Sequence, residues 1–343
     1  MRVLIDAMGG DNAPGEIVKG AVDAVKHLDV DITLLGQEDK ILACLKECGA
    51  EPSDSLRVVH TPDVITMEDD PASATRKKKE SSMAVMLRML RDGEGDACIS
   101  AGSTGALLSG ATLTVRRIRG IRRACFAPVL PNGGKGVLLI DCGANVECTP
   151  EYLLQFAYMG SIYAKEIMGC ENPKVGLLNI GAEESKGGEL QKETYALLKK
   201  AAEEGRLNFV GNVESSRFLF GEVDVLVTDG YTGNVLLKAV EGTAKYLMKK
   251  IKGIFLKNAV NKLAAVILKK DVKKLKDDFD PSEVGGTPLL GISKLVIKAH
   301  GSSDARAIYN AVRQAKAVTK ANVIPSIEAN IEYMRLNTAA SEE

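Results

Sequence analysis

The sequence predicts an α/β fold, a doubly wound and mainly parallel sheet with helices on both faces, and three observations lead there. Short β-rich runs alternate with helix-length segments along most of the chain. Several of those runs, such as VLLID, VGLLNI and VDVLVTD, are almost continuously apolar, as strands are when helices cover both sides of a sheet. Polar, glycine-rich turns follow them, at the strand ends where open parallel sheets bind ligands.

In chain order the expected strands are the short β-rich runs Arg2–Met8, Asp31–Leu35, Leu56–His60, Asp96–Ser100, Gly136–Asp141, Lys174–Ile180, Asn208–Gly211 and Val223–Thr228. Between them, apolar residues recurring at helical spacing predict Gly15–Lys26, Ser81–Arg91, Pro150–Met168 and Glu189–Glu204. Region 68–91 reads as a charged loop entering a helix. The chain shows no internal repeat and no low-complexity linker, so a single α/β domain over 1–336 is expected, with 337–343 a frayed tail.

The formal net charge is zero, yet residues 244–276 hold 11 lysines and one acid, Asp271. That segment carries +10 and the rest of the chain −10. Leu247, Ile251, Ile254, Phe255, Val260, Leu263, Ile267 and Leu268 recur at helical spacing, with the lysines largely opposite. A basic amphipathic helix fits an anionic surface, a bilayer or an acidic protein; a solvated face over an ordinary core or dimer contact leaves the same pattern. The longest local apolar runs, such as Leu263–Leu268, stop at six residues, far below the ~18 that cross a bilayer. The opening RVLIDAM has the build of a strand, not of a signal peptide, so a cytoplasmic protein resting at most on a membrane surface is expected.

The cysteines at 44, 48, 98, 125, 142, 148 and 170 form no CxxC pair, and no His stands at zinc-finger spacing. They read as free thiols. Cys142 and Cys148 flank a glycine turn but lack a nearby His to activate them as nucleophiles.

Five strand exits carry the chemistry: DAMGGDNAP (6–14), SAGSTGA (100–106), DCGAN (141–145), NIGAEESKGG (179–188) and TDGYTGN (228–234). Glycines let backbone amides approach a ligand, and helix starts add partial positive charge, so phosphate is the natural occupant. Ser103 and Thr104 are the best cradle, although simple N-capping would leave the same mark. No P-loop and no GxGxxG after the first strand is present, which leaves nucleotidases and NAD enzymes without support. Lys186 and His300, in KAHGSS, stand out among titratable groups, whereas His27 and His60 read as structural. Asp6, Asp11, Asp141 and Asp229 are possible metal ligands, but strand-end carboxylates more often cap helices and fix loops, and no metal is expected.

MRVLIDAMGGDNAPGEIVKGA, PASATRKKKESSM, SAGSTGALL, DCGAN, NIGAEESKGGE, VTDGYTGNV and KAHGSSDARA, in this order from Met1 to about Tyr333, resemble the bacterial acyl-acyl carrier protein:phosphate acyltransferases of phospholipid synthesis. The resemblance implies a Rossmann-like fold related to phosphotransacetylases and isopropylmalate-type dehydrogenases, a homodimer, and a projecting amphipathic helical pair inserted at about 243–278. It also implies a reaction that needs no cofactor: long-chain acyl-acyl carrier protein and inorganic phosphate become acyl phosphate, which passes to a membrane glycerol-3-phosphate acyltransferase.

That chemistry suits a site with no nucleophilic triad. Phosphate is largely dianionic near pH 7 (second pKa about 6 for monoesters), and a thiolate of pKa about 8.5 leaves readily. Binding the reactants in line and stabilising an oxyanion is the main task. Gly9, Gly10, Ser103, Thr104, Gly105 and Asn145 are expected to hold phosphate. Lys186 would neutralise developing charge, Asn234 and His300 would polarise the carbonyl or protonate the departing sulfur, and Asp229 would orient one of them. Arg76, Lys77, Lys78 and Lys79 are expected to dock the acidic carrier protein, and Ile254, Phe255, Val260, Leu263 and Ile267 to face an anionic membrane. The competing readings are a short-chain phosphotransacetylase using acyl-coenzyme A and a non-catalytic membrane-binding protein. Aromatics make up 4% of the chain with no Trp, which argues against nucleic-acid binding by stacking.

Overall fold

The computed structural model describes residues 1–279 and 281–335, so the expected tail at 337–343 lies outside the described residues. In chain order the strands are β1 (Arg2–Asp6), β2 (Asp31–Gly36), β3 (Leu56–His60), β4 (Ala97–Ser100), β5 (Cys125–Phe126), β6 (Val129–Leu130), β7 (Val137–Ile140), β8 (Lys174–Asn179), β9 (Asn208–Glu214), β10 (Val225–Val227), β11 (Gly286–Leu290) and β12 (Leu295–Ala299). They form not one sheet but two: seven strands in the order β3-β2-β1-β4-β12-β11-β5, and five in the order β6-β7-β10-β8-β9.

Pairing is parallel from β3 through β12 in the first sheet and from β7 through β9 in the second, with β11 and β6 antiparallel to their neighbours. The chain leaves the first sheet between Phe126 and Val129 and returns only at β11. The single sheet expected above is therefore divided, because the crossing is too short to carry any linker signature. Four strands escaped the sequence reading: β5 and β6 are two residues each, while β11 and β12 follow the basic segment. β12 lies between β4 and β11, well inside the first sheet. Its run LVIKA is interrupted by a lysine, which hides a central strand.

The elements form for local reasons. Helix Gly15–Leu28 buries Ile17, Val18, Ala21 and Val22 on one stripe and ends where Asp29 turns left-handed. Helix Pro150–Glu166 starts with a proline in its first turn, where the missing N–H is harmless. Ser81 caps helix Ser82–Arg91 by accepting from the Ala84 N–H. Val3, Leu4 and Ile5 of β1, Leu138–Ile140 of β7 and Val225–Val227 of β10 are all fully buried, each contributing about 1.5–3 kcal/mol of hydrophobic stabilisation.

The basic segment forms three helices: Gly230–Leu256, 27 residues long, then Ala259–Ile267 and Lys269–Asp278. The first begins well before the expected Thr243, because Asp229 caps it directly at the end of β10. The break falls at Asn258, whose side chain caps the second helix while the Asn261 amide donates to the Ile254 carbonyl at 2.7 Å. Ile254, Val260, Leu263 and Ile267 are 61–76% exposed, and Phe255 is half-buried. Among the described residues no helix is long and apolar enough to cross a membrane.

A candidate active site between the two sheets

A cleft of about 300 Å³ opens where the carboxyl ends of the two sheets face each other. Its polar lining comes from the exits of both: Thr104 after β4, Lys298 and His300 at the end of β12, Cys142 after β7, and Asn234, Lys238 and Glu241 on helix Gly230–Leu256. One wall is apolar, built from Phe126, Val129 and Leu130 of the crossing segment with Leu237, Val240 and Phe279.

Each sheet organises its rim around a buried strand-end aspartate. In the first, Asp6 accepts from the Ser82 hydroxyl (2.6 Å), the Ser100 hydroxyl (2.7 Å) and the Met8 N–H (3.2 Å). Burial raises its pKa, and these bonds oppose the rise. Ser100 Oγ in turn accepts from the Gly102 N–H at 3.1 Å. A Cβ on Gly9 would lie 2.6 Å from the Asp6 carboxylate and 2.7 Å from the Gly102 nitrogen, so only glycine lets these loops close on one another. The Asp11 N–H donates to the Gly301 carbonyl (2.8 Å), which fixes the 298–303 turn beside them.

In the second sheet, Asp141 accepts from the Phe126 N–H (2.9 Å), the Asn145 N–H (2.7 Å) and the Asn145 side-chain amide (2.9 Å). Its carboxyl is pushed up to about 6, burial outweighing those bonds. Gly230 donates to the Asn145 carbonyl at 2.7 Å, seating the long helix on this turn. Phe126 belongs to the first sheet, so Asp141 also ties the two sheets together.

Lys298 is the one half-buried cation among the cleft's strand-end residues. Its ammonium donates to the carbonyls of Ala101, at 3.3 Å, and Ala299. Burial pulls its pKa down to about 8 against the attraction of Asp6 and Asp11, and Lys238 adds to the fall. The His300 Nδ1 accepts from the Ser302 N–H at 3.2 Å and lies 2.9 Å from the Ser302 hydroxyl, which puts the proton of the neutral ring on Nε2. Burial, then Lys238, holds the His300 pKa below its usual value, so the ring is neutral at pH 7.

Of the residues singled out from the sequence, Thr104, Asn234 and His300 come together in the cleft. Ser103 is buried and caps the helix that starts at Thr104. Gly105 packs against Pro71, and Gly9 and Gly10 lie beneath the rim, locking the 100–103 and 300–303 turns. Both carboxylate oxygens of Asp229 bond to Thr232 (2.8 and 2.7 Å), and the Asn145 amide bonds to Asp141 and Ala124. Lys186 is exposed on the loop after β8 and does not line the cleft. Arg76, Lys77 and Lys79 are exposed, while Lys78 is tied to Asp69 (2.6 Å) and the Val64 carbonyl (3.0 Å). Cys142 reaches the cleft, but burial drives its thiol far above the usual range, which leaves no thiolate nucleophile. Sequence reasoning missed Lys298, although a lysine inside an otherwise apolar strand run was the available signal.

The family model described as fatty acid synthesis protein matches residues 1–326. A phosphate acyltransferase from Oceanobacillus iheyensis is 49% identical over 333 residues, covering 97% of this chain and 98% of that one. Another, from Thermoanaerobacterium thermosaccharolyticum, is 45% identical over 342 residues and covers both chains completely. Among solved structures, a phosphotransacetylase from Streptococcus pyogenes superposes with a TM-score of 0.59 at 17% identity, covering 95% of this chain and 94% of that one. A 4-hydroxythreonine-4-phosphate dehydrogenase from Klebsiella pneumoniae gives a TM-score of 0.51 at 10% identity, covering 93% and 99%. The structural likenesses establish the Rossmann-like fold alone. The near-complete sequence matches go further: this chain belongs to the phosphate acyltransferase family and is an acyltransferase.

Proposed function

We propose that the chain makes acyl phosphate from inorganic phosphate and a long-chain acyl thioester of acyl carrier protein, supplying phospholipid synthesis. The observation that carries this reading is the two-sided cleft, in which a polar rim of amides, hydroxyls and an ammonium meets an apolar wall. Phosphate sits at the rim beside Thr104, and the acyl chain lies along Phe126, Val129, Leu130 and Leu237. A phosphate oxygen attacks the thioester carbonyl, the carbonyl pair moves onto oxygen, and on collapse the C–S bond breaks with its electron pair on sulfur. Asn234 and the neutral His300 Nε2–H donate to the carbonyl oxygen as its charge grows. No acyl-enzyme forms.

The exposed basic helices serve the two ends of this reaction. Their lysines, with Arg76, Lys77 and Lys79, attract an acidic carrier protein. Their apolar faces rest on an anionic bilayer, each nearby lysine contributing about 1 kcal/mol. The enzyme thus works as a homodimer at the cytoplasmic face of the membrane, where a glycerol-3-phosphate acyltransferase consumes the product.

Hydroxylamine trapping of acyl phosphate tests the reading. Purified protein supplied with phosphate is expected to yield hydroxamate from palmitoyl-acyl carrier protein far faster than from acetyl-coenzyme A. The reverse preference would make it a short-chain phosphotransacetylase, and no phosphate-dependent thioester loss would leave only a binding protein.

A further inference from the structure

We propose that Lys298 is a catalytic residue of this enzyme: its ammonium contacts the bound phosphate and balances the charge that passes from phosphate to the carbonyl oxygen. Position supports this first. Lys298 is the penultimate residue of β12 and pairs with Ser100 of β4, so its side chain emerges between the Ser100–Ser103 turn and the His300–Gly301 turn. Among the described residues its ammonium is bound only to the carbonyls of Ala101 and Ala299, and neither is an anion. A half-buried lysine held by neutral carbonyls carries charge that its immediate partners do not cancel.

The surrounding charges hold the ammonium in place without closing it off. The elements packed about it contribute Asp6 and Asp11 from the first loop, His300 from its own turn, and Lys238 and Glu241 from the long helix. Asp6 is committed to Ser82, Ser100 and Met8, and Glu241 to Lys238 at 2.9 Å. His300 is neutral at pH 7. With Glu241 paired to Lys238, and Asp6 and Asp11 attracting the Lys298 ammonium without binding it, one of its three N–H groups remains, among the described residues, to meet an oxygen of the phosphate dianion. The attacking phosphate carries that charge in and the tetrahedral oxyanion keeps it there, so a fixed cation serves both without exchanging a proton. The Cys142 thiol, whose burial keeps it protonated, does not compete for this charge.

The sign of the pH effect follows. The active form is the ammonium, and its pKa is lowered to about 8, so activity is full below that value and lost as pH rises through it. Arg stays charged at every accessible pH.

The experiment rests on phosphate dependence rather than on acyl-donor identity. Lys298→Met, Lys298→Arg and the unaltered protein are compared in thermal-shift titrations with inorganic phosphate and in hydroxamate assays at pH 6.5 to 9.5, with whichever thioester the unaltered protein accepts. The unaltered protein is expected to gain melting temperature with phosphate and to show an alkaline limb near pH 8. Lys298→Met should lose the phosphate-induced shift and about 100-fold in kcat/KM for phosphate, as when one oxyanion donor is removed, with the KM for thioester nearly unchanged. Lys298→Arg should keep the shift and lose the alkaline limb. A folded Lys298→Met protein with unaltered phosphate response, or an alkaline limb that persists in Lys298→Arg, overturns the assignment. Failure of the unaltered protein to use carrier-protein thioester would instead defeat the donor assignment, and the phosphate titrations would still be read.

Discussion

Gly233 shows how much of the site rests on one missing methyl group. It lies in the first turn of helix Gly230–Leu256, and a Cβ there would run into the Asp141 carbonyl oxygen. That contact lets the helix sit directly on the β7 exit and presents Asn234, the next residue, to the cleft. Gly233→Ala is expected to cost about 1–3 kcal/mol through overpacking and to lower turnover further by moving Asn234. Urea denaturation and the hydroxamate assay measure the two losses; unchanged values in both would mean that the close approach has no role. Single residues also explain why some expectations did not meet in the cleft. Asp229 and Asn145 sit in motifs that read as functional, yet their side chains are tied to Thr232, Asp141 and Ala124. Motif composition does not separate a ligand contact from a loop tie, since both need the same small polar residues.

At the scale of elements, helix Gly230–Leu256 does two jobs on one axis. Its first turns are packed and line the cleft with Asn234, Leu237, Lys238 and Glu241, whereas its far end leads to the exposed helices Ala259–Ile267 and Lys269–Asp278. The separation predicts separable defects. Replacing Leu263 and Ile267 with glutamate removes apolar surface and adds repulsion against anionic lipid, so binding to phosphatidylglycerol vesicles should drop at least tenfold in a flotation assay. Turnover on soluble acyl-carrier protein should fall much less. Retention of the double variant on vesicles would remove the membrane assignment while leaving the catalytic one in place.

The whole molecule joins two sheets of opposite edges around one cleft and divides its charge unevenly, +10 on residues 244–276 and −10 elsewhere. Such a distribution steers an acidic partner toward one face and keeps it off the rest. Raising ionic strength from about 0.05 to about 0.5 M shrinks the Debye length several-fold, and kcat/KM for carrier-protein thioester should fall about tenfold. An uncharged acyl-pantetheine should lose little. Equal salt sensitivity for both substrates would show that the basic face does not guide the carrier protein.

Much of this protein was determined by local pattern. The eight strands and four helices expected from apolar runs and their spacing are present with ends shifted by a few residues, because burial on both sheet faces demands continuous apolar runs. The glycine-rich exits and the basic amphipathic stretch were legible for the same reason: each is written in adjacent residues. Tertiary structure alone decided the division into two sheets, the central place of β12, and the meeting of Thr104, Asn234, Lys298 and His300. Those depend on pairing between segments nearly 200 residues apart, as between Ile297 and Ile99, and adjacent residues carry no record of which distant strand will complete their hydrogen bonds.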